Sequence, residues 1–140
     1  MWSKEVSIKI NAAREEVWKL WTDVPNWNTW DEQVISSNLD GDFKIGQIGE
    51  LIPKGGPKSS YELVEVTPYK SFTSRSKLPL TKMDFIHEMK EVDGILILTH
   101  KVRITGVLSF LFSRIIGSKM VKELPHAMNK LSNMAQKKEI

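Results

Sequence analysis

The stretch "FIHEMKEVDGILILTH", residues 85–100, sets two runs of alternating character on either side of Asp93-Gly94. Asp-Gly is a dipeptide favoured by two-residue type I′ hairpin turns, because both central positions need a positive φ. With Val92 and Ile95 flanking the turn, the register places His87 opposite His100, Phe85 opposite Val102 and Met89 opposite Leu98 on one face. The other face receives Asp84 opposite Arg103, Glu88 opposite Thr99 and Lys90 opposite Ile97. An ion pair falls on one side and an apolar surface on the other, so the histidine face is the inner face of an antiparallel sheet.

Outward from this hairpin, turn residues separate further runs with strand character. The run 70–78 precedes it across Leu78-Pro79-Leu80, with Phe72, Ser74, Ser76 and Leu78 alternating against Thr73, Arg75 and Lys77. That alternation brings Phe72 or Ser74 beside His87. Runs over 32–39, 43–52 and 59–66 are punctuated by "DGD" (40–42), "PKGGPK" (53–58) and "TPY" (67–69). Connections this short predict an antiparallel meander. At the start, Trp2, Val6, Ile8 and Ile10 alternate with Glu5, Ser7 and Lys9, which predicts another half-buried strand. Asn11 is then expected to cap a helix over Ala12 to about Asp23, where Ala13, Val17, Leu20, Trp21 and Val24 repeat at helical spacing. Pro25 ends it, and "PNWNTWD" reads as a turn or a short second helix.

Beyond Val107 no strand pattern survives. Met120, Leu124, Met128, Leu131 and Ala135 mark one face of a long helix, and Pro125 is expected to kink it. The helix opens with "VLSFLFSRII" (107–116), apolar almost all round, which predicts burial against the sheet or a lid over it. The order of strand, two short helices, six strands and one long helix implies an α+β fold. In it the long helix must cover the apolar face of a strongly curved antiparallel sheet of about seven strands, leaving space between them.

A chain of 140 residues fits a single domain over 1–140. It has no cysteine, which excludes disulfides, thiolate metal sites and cysteine nucleophiles. The start "MWSKEVSIKI" lacks the apolar run of a signal peptide, and no stretch approaches the roughly 20 apolar residues of a membrane span, so a cytoplasmic location without stable membrane insertion is expected. The net charge is only +3 and the lysines are scattered, which speaks against nucleic acid as a partner. Trp18, Trp21, Trp27 and Trp30 do not make a base-stacking platform either, since their charged neighbours include Glu15, Glu16, Asp23, Asp31 and Glu32.

Three stretches together resemble the START-like, polyketide cyclase/dehydrase and lipid-transport superfamily, which has the helix-grip fold of the birch pollen allergen. They are "AAREEVWKLWTDVPNWNTWD" (12–31) with its Trp18, Asp23, Trp27 and Trp30, "YELVEVTPYKSF" (61–72), and the ending "GVLSFLFSRIIGSKMVKELPHAMNKLSNMAQ" with Leu124-Pro125. The resemblance implies a hydrophobic cavity between sheet and C-terminal helix, holding lipids, polyketides or quinones in related proteins, and places Trp30 at its rim. One fold of this kind serves carriers, cyclases and chaperone-associated modules alike, so the function rests on the site.

The expected site is the inner face: Trp30, Phe72, Ser74, Phe85, His87, Met89, Leu98, His100, Val102, Met120 and Leu124, apolar walls with a few polar groups. The leading reading is a carrier or binding protein for a small hydrophobic ligand, oriented by His87, His100 and Ser74. The alternatives are a cyclase or dehydratase with His87 or His100 as acid–base group, and an interaction module for chaperones or membranes. A metal site is not supported, since Phe85, Met89, Leu98 and Val102 around the two histidines offer no third ligand, and no cofactor is implied. His126, next to the helix proline, is expected on the surface.

Overall fold

In a computed structural model of the chain, Asp93 and Gly94 take φ values of 51° and 79°, the type I′ turn that their identity predicts. The model describes residues 1–137, with the side chains of 117–121 and 137 left outside the description. The turn joins β6 (Thr81–Val92) to β7 (Ile95–Gly106), and the predicted pairs form: Phe85 with Val102, His87 with His100, Met89 with Leu98. The remaining strands are β1 (Trp2–Ile10), β2 (Val34–Leu39), β3 (Ile48–Pro53), β4 (Ser59–Thr67) and β5 (Ser71–Leu78). They form one antiparallel sheet in the order β1-β7-β6-β5-β4-β3-β2. The meander is as expected, and β1 adds itself beside β7, with Val6 opposite His100 and Ile8 opposite Leu98.

Two register shifts bend the sheet, one between Val34 and Ser36 in β2 and one between Leu63 and Glu65 in β4. An extra residue on one strand sharpens local twist and curls the sheet around whatever packs inside it. Gly49 in β3 serves the same curvature. A Cβ there would run into the Asn38 carbonyl and the Tyr61 ring, and the Tyr61 hydroxyl donates to that carbonyl at 2.9 Å. Gly49→Ala is therefore expected to cost about 2–3 kcal/mol, read as a lower denaturant midpoint with an unchanged slope.

Helix α1 (Arg14–Thr22) turns Val17, Leu20 and Trp21 inward. A 3-10 segment over Val24–Thr29 follows and buries Val24 and Trp27. Helix α2 (Ser109–Lys137) crosses the concave face with Leu124, Ala127, Met128, Leu131 and Ala135 buried, and it continues through Pro125. The core between these layers is Val17, Trp21, Leu63, Phe72, Leu98, Met128 and Leu131 with their neighbours.

Four sequence expectations need correction. Asn11 does not cap α1, whose N-cap is Ala13 without a side-chain bond; the Asn11 backbone N–H donates instead to Gln136 Oε1 at 3.1 Å, tying the end of β1 to α2. Residues 43–47 form a loop, because Gly46 at φ 94° breaks the extended run and its N–H is taken by the Leu63 carbonyl. Asp84 faces Arg103 in register, but its ion pair is with Arg75 of β5, which stands opposite it on the other side: Arg75 Nε lies 2.7 Å from Asp84 Oδ1 and Nη2 lies 3.1 Å from Oδ2. The side-on fork of a guanidinium fits both carboxylate oxygens at once, which decides between the two arginines. Last, the opening of α2 is not buried, since Phe110, Leu111 and Ile115 point outward.

Candidate functional site

The inner face around the hairpin is built by strand parity. Odd positions of β6 and even positions of β7 look toward α2, so His87 and His100 leave opposed strands side by side. Their ring centroids are 4.5 Å apart in an edge-to-face arrangement. Phe72, opposite His87 on β5, stacks flat on it at 4.1 Å with 6° between planes. From above, α1 lowers Trp21 onto all three rings, 5.5 Å from Phe72, 5.7 Å from His87 and 5.9 Å from His100. Trp30, which follows the 3-10 segment, approaches His100 at 6.1 Å.

These rings occupy part of the space in which the sequence predicts a cavity. Trp21 and Phe72 are fully buried, and Trp30, expected at a rim, is only 4% exposed. It sits inside because Val24 to Thr29 wind as a 3-10 segment held to β2 by Ser37, whose hydroxyl donates to the Val24 carbonyl at 2.5 Å. Two open clefts, of about 470 and 560 Å³, lie elsewhere. One is on the outer sheet face around Arg75, Asp84 and Arg103, the other beside the hairpin around Tyr69, Met89 and Leu96.

The interior is packed but not satisfied. Trp21 Nε1, Trp30 Nε1, His87 Nδ1 and His100 Nε2 are all buried without a hydrogen-bond partner among the described residues. Each such group costs about 1–3 kcal/mol of lost solvation, so four within one ring cluster are a concentrated expense of stability. Trp27 shows the ordinary alternative: its Nε1 donates to the Trp21 carbonyl at 2.9 Å. Burial also keeps both imidazoles neutral. Desolvation lowers His100 to about 3, and desolvation followed by the neighbouring His100 charge takes His87 well below its usual value, against weaker hydrogen bonds that the ring donates to the Phe85 and Phe72 backbone. A neutral imidazole offers one donor and one acceptor, and an indole offers a donor alone. The cluster can thus hold an oxygen acceptor with its indoles and receive or give one proton bond at each histidine.

The other expected residues lie on the same face. Ser74, Met89 and Leu98 are buried there, while Val102 and Leu124, both buried, and the half-buried Phe85 belong to a second, smaller apolar cluster with Ile104 and Phe112. Met120 lies outside the described side chains. Trp21 is the central residue that sequence reasoning placed only in the helix core; its spacing with Val17 marked it as inward-facing, but nothing in the sequence set it over the histidine pair. His126 is on the surface, paired with Glu32 at 3.1 Å. Among the described residues no group of three or more histidines and carboxylates could hold a metal ion, and no helix is long and apolar enough to cross a membrane.

Residues 1–134 match the family model described as polyketide cyclase / dehydrase and lipid transport. No curated protein matches the chain in sequence. Among solved structures, the di-domain aromatase/cyclase StfQ of the steffimycin biosynthetic pathway is similar at 10% identity with a TM-score of 0.79; the match covers 98% of this chain and 51% of that one, so this chain spans about half of its length. The aromatase/cyclase Zhui from Streptomyces sp. R1128 is similar at 13% identity and a TM-score of 0.74, over 99% of this chain and 96% of that one. A Mesorhizobium loti protein is similar at 15% identity and 0.77, over 97% and 98%. At these identities the likeness is one of fold.

Proposed function

The chain belongs to the polyketide cyclase / dehydrase and lipid transport family, and on that premise we propose that it binds a small apolar molecule carrying one or two oxygens, of the quinone or polyketide type, between the sheet and α2. The observation that carries this reading is the set of four unpartnered ring nitrogens on Trp21, Trp30, His87 and His100. A flat ligand displacing part of the ring packing replaces apolar contact with apolar contact and gives those nitrogens the partners they lack. Its carbonyl accepts from an indole N–H, and a hydroxyl pairs with an imidazole.

Binding is favoured over acid–base catalysis by the histidines themselves. A general base works best with a pKa near the operating pH, and a ring held at about 3 is a weak base at neutrality. The roles follow from this: Phe72, Met89, Leu98 and Val102 as walls, His87 and His100 as orienting polar groups, Trp21 and Trp30 as donors.

Menadione, a naphthoquinone, and 2-methylnaphthalene, its oxygen-free counterpart, test the reading through quenching of the intrinsic tryptophan fluorescence. The absence of cysteine removes thiol addition as a complication. The quinone is expected to bind at least about tenfold more tightly than the hydrocarbon, the worth of one or two hydrogen bonds to otherwise unpaired donors. Equal affinity for both, or none for either, would contradict it.

A further inference from the structure

One end of the molecule exposes large apolar side chains. Leu80 at the β5–β6 turn and Val107 just before α2 are each 73% exposed, and the Val107 N–H donates to the Leu80 carbonyl at 3.0 Å, so the two turns form one surface. Phe110 and Ile115 on the first two turns of α2 are 65% and 63% exposed, with Leu111 between them. Residues 110, 111 and 115 share a helical face that continues the exposed Val107, while Phe112 on another side packs on the second apolar cluster. The helix therefore already has its inner contacts, and the outward set is surplus to the fold.

The charge around this surface has one sign. Residues 76–83 and 104–116 contain Lys77, Lys82 and Arg114 and no Asp or Glu. Lys77 and Lys82 stand opposite each other at the end of the hairpin, on the sheet face turned away from α2, Arg114 lies on the helical face of Phe110 and Leu111, and all three are exposed. Exposed apolar side chains with basic ones beside them suit a negatively charged lipid surface: the rings and branched chains enter the acyl boundary while the cations meet headgroup phosphates and carboxylates. A second copy of the chain fits less well, because a symmetric contact would press these cations against their own counterparts. Nucleic acid would use the cations and leave Phe110, Leu111 and Ile115 in water.

We propose that the end formed by the β5–β6 turn, Val107 and the first two turns of α2 is a peripheral docking surface for anionic lipid bilayers. It does not rest on the ligand reading, and it holds or fails without it. Its partner is the bilayer itself, contacted reversibly by side chains at the α2 opening, with no segment crossing.

The test is co-sedimentation of the full chain with vesicles of phosphatidylcholine alone and of phosphatidylcholine with phosphatidylserine, at low salt. Binding is expected to the mixed vesicles and to weaken with added salt. The variant carrying Phe110→Ser, Leu111→Ser and Ile115→Ser, all at exposed positions, is expected to lose binding at least about a hundredfold while keeping the thermal unfolding midpoint. Lys77→Gln with Lys82→Gln is expected to lose roughly 25-fold on mixed vesicles only. No partitioning of the native chain to mixed vesicles would overturn the proposal. So would binding untouched by the triple variant, or a dimer in light scattering that the triple variant dissolves while vesicle binding is absent. Binding to a nucleic-acid polyanion that exceeds vesicle binding and depends on the lysines alone would overturn it as well.

Discussion

Acidification from neutrality to about pH 4.5 is expected to remove about 3 kcal/mol of folding stability through His100 alone. In the unfolded chain this imidazole titrates near 6.5, and burial in the ring cluster lowers it to about 3. Between those values the unfolded chain binds a proton that the native protein refuses. Stability from this group is complete above the unfolded value and falls as pH drops toward the folded one, at about 1.4 kcal/mol per pH unit. His87 acts in the same direction, since it too is depressed, first by desolvation and then by the repulsion of a charge on His100, 4.5 Å away between ring centroids. Denaturant unfolding followed across this range measures the slope. His100→Gln is expected to flatten it by about one proton, and a slope unchanged by that substitution would contradict the assignment of neutral, buried imidazoles.

Trp21→Ala is expected to cost about 3–5 kcal/mol, a large share of the roughly 5–15 kcal/mol that holds an ordinary domain folded. The ring is fully buried and sits on Phe72, His87 and His100 from α1, so its removal opens a void at the meeting point of helix and sheet. Trp21→Phe separates packing from hydrogen bonding. Because the indole N–H has no partner, the smaller ring gives up volume and removes an unsatisfied donor together, and its cost is expected to stay below about 2 kcal/mol. Equal losses in the two variants, seen in the denaturant midpoint, would mean that the indole nitrogen has a partner in solution.

The hairpin was the most legible part of the fold, because turn chemistry and side-chain alternation are both local. Asp93-Gly94 requires positive φ at two positions, and once that is met every pair from Thr81 to Gly106 follows. The long C-terminal helix was legible for the same reason. Less local features were not. The Arg75–Asp84 pair depends on which neighbouring strand supplies the better geometry, and the alternation of β6 is compatible with either arginine. The outward turn of Phe110, Leu111 and Ile115 was hidden because the segment is apolar on both sides, and periodicity cannot say which side the sheet takes. Of the candidate site, the strand residues could be placed by counting. The contribution of Trp21 and the burial of Trp30 depend on how α1 and the 3-10 segment lie across the sheet, and helix orientation is set by tertiary packing, which no local pattern encodes.

Four ring nitrogens are buried, close together and without a hydrogen-bond partner among the described residues, and the proposed oxygen-bearing ligand would supply one. Two of them belong to indoles, whose N–H signals can be followed individually in a nitrogen–proton correlation spectrum of the chain's five tryptophans. On addition of menadione, the Trp21 and Trp30 signals are expected to move to lower field as they acquire an acceptor, and Trp27, already bonded to the Trp21 carbonyl, is expected to move less. If saturating menadione leaves Trp21 and Trp30 in place, or shifts Trp2 alone, the ligand does not use this cluster and the central claim is contradicted.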